Sequence, residues 1–193
     1  QWIDLYEQCD AVLGYTQWGM DLIKKTSNKI KVAGIAPPYA FEEYKPIPNR
    51  EELKKQLGLG NITVVGMVGR NQKRKLYPDL FEAFSNFLKE SKRSDIYLYC
   101  HVGFPERGWA IDEELLTYGI QNKVLFGYVC RRCRNMEIGL FQGPLATCYS
   151  CNEKSKTLVS PECGFNHQQM AAIYNMMDLY VQWASCEGYG IPI

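Results

Sequence analysis

Val64-Val65-Gly66-Met67-Val68-Gly69 runs directly into Arg70-Asn71-Gln72-Lys73-Arg74-Lys75. The first half is apolar and uncharged and reads as a buried strand. The second half is basic. A turn just past a strand is where an α/β sheet offers backbone N–H groups and nearby cations to an anionic ligand. The chain repeats this chemistry near its other end. There, Asp178-Leu179-Tyr180-Val181 reads as a strand and leads through Gln182-Trp183-Ala184-Ser185-Cys186 to Glu187-Gly188-Tyr189-Gly190. A glycine pair alone is weak, because strand ends often carry glycine for close packing. Two strand ends of matching chemistry point to a phosphate-bearing substrate.

Working outward, short apolar strands alternate with amphipathic helices. Strands are expected at Ala11–Gly14, Ile30–Ala33, Ile62–Val65, Ile96–Tyr99, Val124–Phe126 and Leu179–Val181. Leu80, Phe84, Phe87 and Leu88 fall at helical spacing, with Pro78 suited to a first turn, and Met170, Ile173, Tyr174 and Met177 repeat the pattern. Such alternation predicts an α/β fold, a doubly wound and mostly parallel sheet. The Pro-rich stretch Ala36–Pro48 reads as a fixed irregular connection.

Composition fits this class. The 193 residues are 46% hydrophobic and 22% charged, ordinary for a globular domain with a sizeable core. A net charge of +1 gives no broad electrostatic footprint for DNA or RNA, so nucleic acid is not the expected partner. No run of eighteen apolar residues suggests a transmembrane segment, and no secretory signal opens the chain.

Gly69-Arg70 with Lys75, the helix Met170–Asn175 leading into Asp178–Val181, and Glu187-Gly188-Tyr189-Gly190-Ile191-Pro192 resemble the C-terminal, donor-binding domain of retaining glycosyltransferases of the GT-B fold, the group 1 family. The likeness covers most of residues 3–128 and 165–193, with the motifs in family order. It implies that residues 1–193 form a Rossmann-like nucleotide-sugar-binding domain, a fragment of a longer enzyme whose acceptor-binding domain would precede it. A second glutamate of the family motif would fall two residues beyond Ile193. The implied activity is hexosyl transfer from a nucleotide-diphosphate sugar to an acceptor hydroxyl, with retention at the anomeric carbon. Arg70 and Lys75 match the positions that neutralise the diphosphate, and Glu187, at the catalytic centre, matches the residue that holds donor-sugar hydroxyls. Gly188, Tyr189 and Gly190 would offer backbone N–H groups, and the base would lie near Gly127 and Tyr128. Nucleotide, sugar and acceptor stay unspecified, and little transfer is expected of such a fragment alone.

One segment interrupts the alternation. Cys130-Arg131-Arg132-Cys133 is followed, after fourteen residues, by Cys148-Tyr149-Ser150-Cys151. Two Cys-x-x-Cys pairs at this separation fold back as knuckles and place four thiolates around one structural Zn²⁺, so residues 130–164 read as an inserted zinc ribbon. Two disulfides or four unrelated thiols are the alternatives. A redox pair is disfavoured because neither motif opens a helix in a thioredoxin-like unit. So small an insert would draw most of its folding free energy from the metal, with its core separate from the sheet's.

Of the other cysteines, Cys9 and Cys100 read as small core residues, Cys163 as a spare ligand beside four that already satisfy zinc, and Cys186 as a packing residue, with a thiolate beside Glu187 as the alternative. Free thiols with a zinc site favour a reducing, cytoplasmic compartment. His101 ends a strand on the ligand-binding side of the sheet and reads as a satisfied histidine, with donor contact as the alternative. His167 opens a helix beside Asn166 and reads as solvated or as part of its cap. Lys73-Arg74-Lys75 has a plain reading as a solvated basic loop. Two competing functions remain, one from the residues and one from the resemblance. Arg131, Arg132 and Arg134 on the ribbon suit a nucleic-acid or protein interaction module on a catalytically idle domain. The other is a sugar-nucleotide epimerase on the same fold.

Overall fold

A computed structural model of the chain describes residues 2–37 and 42–187, which divide into two compact units. The first, residues 2–37, contains helix α1 (Trp2–Glu7), strand β1 (Val12–Gly14), helix α2 (Gln17–Thr26) and strand β2 (Val32–Ile35). β1 and β2 pair in parallel, Val12 opposite Val32 and Gly14 opposite Ile35. Thr16 starts α2 by accepting the Gly19 N–H at 3.1 Å, and Lys24 and Lys25 lie at its negative end. α1 buries none of its residues. Cys9, at its end, is therefore exposed rather than a core residue as expected, and its thiol donates to the Leu5 carbonyl at 3.3 Å.

The second unit runs through α3 (Arg50–Gln56), β3 (Thr63–Val68), α4 (Tyr77–Ser91), β4 (Ile96–His101), α5 (Ile111–Thr117) and β5 (Val124–Cys130). It continues through β6 (Met136–Leu140), β7 (Leu145–Ala146), β8 (Lys156–Leu158), α6 (His167–Met176) and β9 (Leu179–Tyr180). These strands build one sheet in the order β7-β8-β5-β4-β3-β9, with β6 on the free edge of β5. β5, β4, β3 and β9 are parallel, the ribbon strands antiparallel. This is a mixed α/β, Rossmann-like sheet with a mostly parallel centre, as the alternation predicts.

Packing refines the sequence pattern. α4 begins at Tyr77, so its inner stripe is Tyr77, Phe81 and Phe84, with Leu88 partly buried behind them. Phe87 was expected on that face but is 45% exposed. At about 100° per residue it stands about 100° from the stripe's centre. Asn166 and Gln169 close a capping box at the start of α6. His167 is thus the first helical residue and not the cap, with its Nδ1 3.2 Å from the Tyr44 hydroxyl. Arg50 closes the far end of α6, donating to the carbonyls of Asn175 (2.8 Å) and Met177 (2.6 Å). Asp178 accepts the Val64 N–H at 2.8 Å and pairs with Lys54, so the entry to β9 is fastened beside β3.

The insert is not independent of the sheet's core, although Val159 and Cys163 form a small buried cluster with Val129. β4 pairs with the first half of β5 (Val124–Phe126), and β8 takes over along Tyr128–Cys130. β6 lines Leu125–Val129 on the opposite edge. The ribbon is therefore a continuation of β5 beyond the end of β4. Tyr128 and Leu158 belong to the same buried cluster as Phe81, Leu98 and Phe126. Among the described residues no helix is long and apolar enough to cross a membrane.

Candidate functional site

The order of winding locates a crevice. The chain passes from β3 to β4 to β5 in one direction and then returns to place β9 on the opposite side of β3. Ligands of open α/β sheets bind beyond the carboxyl ends of the strands where the winding reverses. Here that point is flanked by the segment after β3, residues 69–75, and the segment after β9, residues 181–187. Both stretches picked out from sequence meet at this end of the sheet.

Glu187 is the meeting point. Its Oε2 accepts from Arg74 Nη1 at 2.7 Å, and its Oε1 accepts from Gln182 Nε2 at 2.5 Å and pairs with the Lys75 ammonium. Arg74 Nη1 also donates to the Cys186 carbonyl at 2.7 Å, and the Ser185 N–H donates to the Arg74 carbonyl at 2.9 Å. Tyr180 orients Gln182 by donating to its Oε1 at 2.5 Å. Burial acts to raise the Glu187 carboxyl. Hydrogen bonds from Lys75, Arg74 and Gln182 and the charge of Lys75 outweigh it and hold the group at about 2. Glu187 is therefore a carboxylate at neutral pH, and Lys75 is a nearly buried cation beside it, 5% exposed.

Arg70 lies elsewhere in the same loop. Its guanidinium is 3.8 Å from Glu106 and its side chain is 65% exposed. Glu106 also accepts the Asn71 N–H at 3.0 Å. The buried Asn71 amide bonds Trp109 twice, donating to its carbonyl at 2.8 Å and accepting its N–H at 2.7 Å. Gly108 allows this approach, since a Cβ there would fall 2.0 Å from Asn71 Oδ1. Lys73 lies over the Trp109 ring at 3.8 Å. The basic run is thus not a uniformly solvated loop. Its cations have separate partners: Glu106 for Arg70, Trp109 for Lys73, and Glu187 for Arg74 and Lys75.

Gly127 is central in β5, where a Cβ would come 2.7 Å from Tyr99 Oη and 3.0 Å from Phe165. Tyr128 is buried, its hydroxyl accepting the Gln142 N–H at 2.7 Å. His101 ends β4 with Nδ1 2.9 Å from Tyr99 Oη and its ring 5.3 Å from Phe165. Burial lowers its pKa to about 4, so it is neutral at physiological pH and satisfied as expected. Cys100 is buried, its thiol raised above its usual range by desolvation, and Cys186 is exposed. Gly188, Tyr189, Gly190 and residues 38–41 of the Pro-rich stretch lie outside the described residues.

A second centre lies at the far end of β5. The Sγ atoms of Cys130, Cys133, Cys148 and Cys151 all fall within 4.8 Å of one another, and all four thiols are free. Cys130 and Cys151 are 3.6 Å apart, and Cys133 and Cys148 are 3.7 Å apart. Metal–sulfur bonds of about 2.3 Å in a tetrahedron give sulfur separations of about 3.8 Å, so the set fits a four-coordinate metal. The two knuckles are built alike. Arg134 N–H donates to the Cys130 carbonyl and Asn152 N–H to the Cys148 carbonyl, each at 2.9 Å. Arg134 (φ 59°) and Asn152 (φ 57°), each following the second cysteine of its pair, are left-handed. The Cys133 N–H reaches Cys130 Sγ at 3.4 Å and, as the leading cause, lowers that thiol to about 6.

Outside the thiols, Glu137 accepts the Tyr149 N–H at 3.1 Å and the fully buried Lys156 ammonium at 2.6 Å. Arg134 reaches Cys163 Sγ (3.1 Å) and the Gly164 carbonyl (3.3 Å), and Arg132 pairs with Glu153. Sequence reasoning assigned no roles to Arg74, Asn71, Gln182, Glu106, Glu137 or Lys156. Only Arg74 carried a signal, as a member of the basic run.

Fold and site together define a Rossmann-like α/β domain carrying a four-cysteine cluster. No family model matches the chain and no curated protein matches it. Among solved structures it is similar to sucrose-phosphate synthase from Thermosynechococcus elongatus, with a TM-score of 0.64 at 15% identity. That match covers 98% of this chain and 39% of the synthase, so the chain spans about two-fifths of that protein's length. A partial likeness links it to Anabaena HepE in complex with UDP, with a TM-score of 0.47 and 18% identity over 63% of this chain and 34% of that one. At 15% identity the likeness to the synthase is one of fold.

Proposed function

We propose that the chain is the donor-binding part of a retaining glycosyltransferase, which takes a nucleotide-diphosphate sugar and passes its hexose to an acceptor hydroxyl. The observation that carries this reading is the convergence of Lys75 and Glu187 at the reversal of sheet winding between β3 and β9. A cation and a carboxylate side by side suit a ligand with an anionic half and a hydroxyl-rich half. Lys75 and Arg70 neutralise the charge that grows on the departing nucleoside diphosphate, an electrostatic task that needs no metal. Glu187, ionised at neutral pH, accepts hydrogen bonds from sugar hydroxyls. In the same reading the base lies toward Gly127 and Tyr128.

In this reading the four cysteines hold a structural Zn²⁺. Four thiolates leave no open coordination position, so the ion stabilises the ribbon rather than activating substrate. Free thiols fit a reducing, cytoplasmic setting. The interaction-module reading has less support, because Arg132 is engaged by Glu153 and Arg134 by Cys163 and Gly164.

Calorimetry with UDP, ADP and GDP tests the proposal. One of them is expected to bind, and Arg70→Ala to weaken it by removing a charged contact worth about 1.5–3 kcal/mol when made bidentately. Equal affinity in wild type and Arg70→Ala would remove Arg70 from the site, and no binding by the wild type would refute the donor reading. Transfer itself depends on positioning donor and acceptor in a closed cleft, which accounts for about 7–11 kcal/mol of barrier lowering. Little turnover is therefore expected from residues 1–193 alone, and radiolabelled sugar transfer measures it.

A further inference from the structure

We propose that Arg74 is a positioning residue that keeps the Glu187 carboxylate fixed for the donor sugar while Lys75 is engaged by the diphosphate. The inference rests on the donor-site reading above and gives a duty to a side chain which that reading leaves idle. Three tethers join residue 74 to the segment that carries Glu187. The guanidinium grips the Glu187 carboxylate through Oε2 at 2.7 Å and the Cys186 carbonyl at 2.7 Å. The Arg74 carbonyl accepts the Ser185 N–H at 2.9 Å. One residue thereby fixes both the side chain of Glu187 and the main chain just before it.

The two carboxylate oxygens are shared unequally. Oε2 belongs to Arg74, whereas Oε1 takes Lys75 and Gln182. An ammonium is a compact point charge with three donors on a flexible stem, so it is the partner a diphosphate can draw away. Had Lys75 been the sole cation, its departure would leave Glu187 uncompensated beside an incoming anion, and like charges would push the carboxylate out of place. A guanidinium is planar, always charged and held by several bonds at once. Arg74 therefore stays with Glu187 when Lys75 leaves, and the carboxylate remains ionised and oriented.

The test separates positioning from phosphate contact. The 193-residue chain, Arg74→Ala and Arg74→Lys are titrated by calorimetry with UDP, ADP and GDP and with the corresponding nucleotide glucoses. Arg74→Ala is expected to spare much of the diphosphate affinity and to cut the nucleotide-sugar to diphosphate affinity ratio about tenfold, with partial rescue in Arg74→Lys. In a Glu187→Gln background Arg74→Ala should add no further loss of that ratio. Parallel losses for diphosphate and nucleotide sugar would make Arg74 a phosphate ligand and overturn the proposal, as would an unchanged ratio. Failure of the wild type to bind any probe would instead overturn the donor-site reading and this role with it.

A ligand-free measurement stands beside it. The Glu187 carboxyl, followed by carbon-13 NMR, is expected to titrate at higher pH in Arg74→Ala than in wild type. An unmoved midpoint would show that Arg74 does not hold the group.

Discussion

The ribbon and the cation–carboxylate site are both polar centres at ends of strands in one sheet, yet they are specified in opposite ways. The four thiols of the ribbon span 21 positions, and each knuckle is fixed by its own turn. Lys75 and Glu187 are 112 positions apart and meet only because the winding reverses between β3 and β9. A local centre depends on its ligand chemistry. A long-range centre depends on the whole sheet being correctly wound.

The largest effect should come from the local centre. Structural zinc contributes about 10–16 kcal/mol in zinc-finger peptides near neutral pH, far more than any single contact at the other site. Cys148→Ser is expected to take zinc from one equivalent to none by elemental analysis and to lower Tm more than any change near Glu187. Because Tyr128 and Leu158 share the main buried cluster, the loss should spread into β5, visible as faster amide exchange at Val124–Cys130. Retention of zinc by this variant, or slow exchange in β5 without metal, would break the contrast.

Next comes the long-range site. Lys75→Ala removes a nearly buried ammonium. Its expected cost to nucleoside-diphosphate affinity is roughly tenfold or more, the worth of one charged hydrogen bond. Zinc content should not change, so the two centres would separate cleanly in one variant. Loss of zinc from Lys75→Ala would mean that the centres are coupled.

Acid titration gives a smaller and graded effect. His101 is held neutral, with its pKa lowered by burial from 6.5 to about 4, so the unfolded chain binds more protons as pH falls through that interval. Stability should therefore decline between about pH 6.5 and 4. Glu187 is held at about 2 against an ordinary 4.5; its contribution is complete above 4.5 and is lost as pH falls toward 2. Denaturant midpoints measured across pH should show both steps, with Glu187→Gln flattening the lower one. The smallest effect is expected from Cys9→Ser, within about 0.5 kcal/mol because the thiol is exposed. Any change in zinc content there would contradict the four-thiol assignment.

The same contrast explains what could be read from sequence. The convergence of the four thiols was legible because Cys-x-x-Cys spacing encodes its own geometry. The strand–helix alternation was legible because apolar periodicity reports local structure. The stripe on α4 was misplaced at Phe87 because the pattern does not fix where the first turn begins. Continuity of ribbon and sheet was hidden, since nothing in Val124–Cys130 announces that β4 and β8 will share one edge of β5. Gln182 and Asn71 were invisible as site residues, and Arg74 showed only as a member of the basic run, for a related reason. Their partners are Tyr180, Trp109 and Glu187, and for Arg74 and Asn71 those partners are distant in sequence, so side-chain type alone gives no hint of the pairing.

The central claim is that an anionic ligand docks where the sheet winding reverses and that the ribbon serves structure. Backbone amide NMR of the zinc-loaded chain, titrated with UDP, ADP and GDP, addresses it residue by residue. Shifts are expected to concentrate at Gly69–Lys75 and Gln182–Glu187, with Cys130–Cys151 unmoved. Shifts centred on Arg131–Arg134 and absent from Gly69–Lys75 would contradict it.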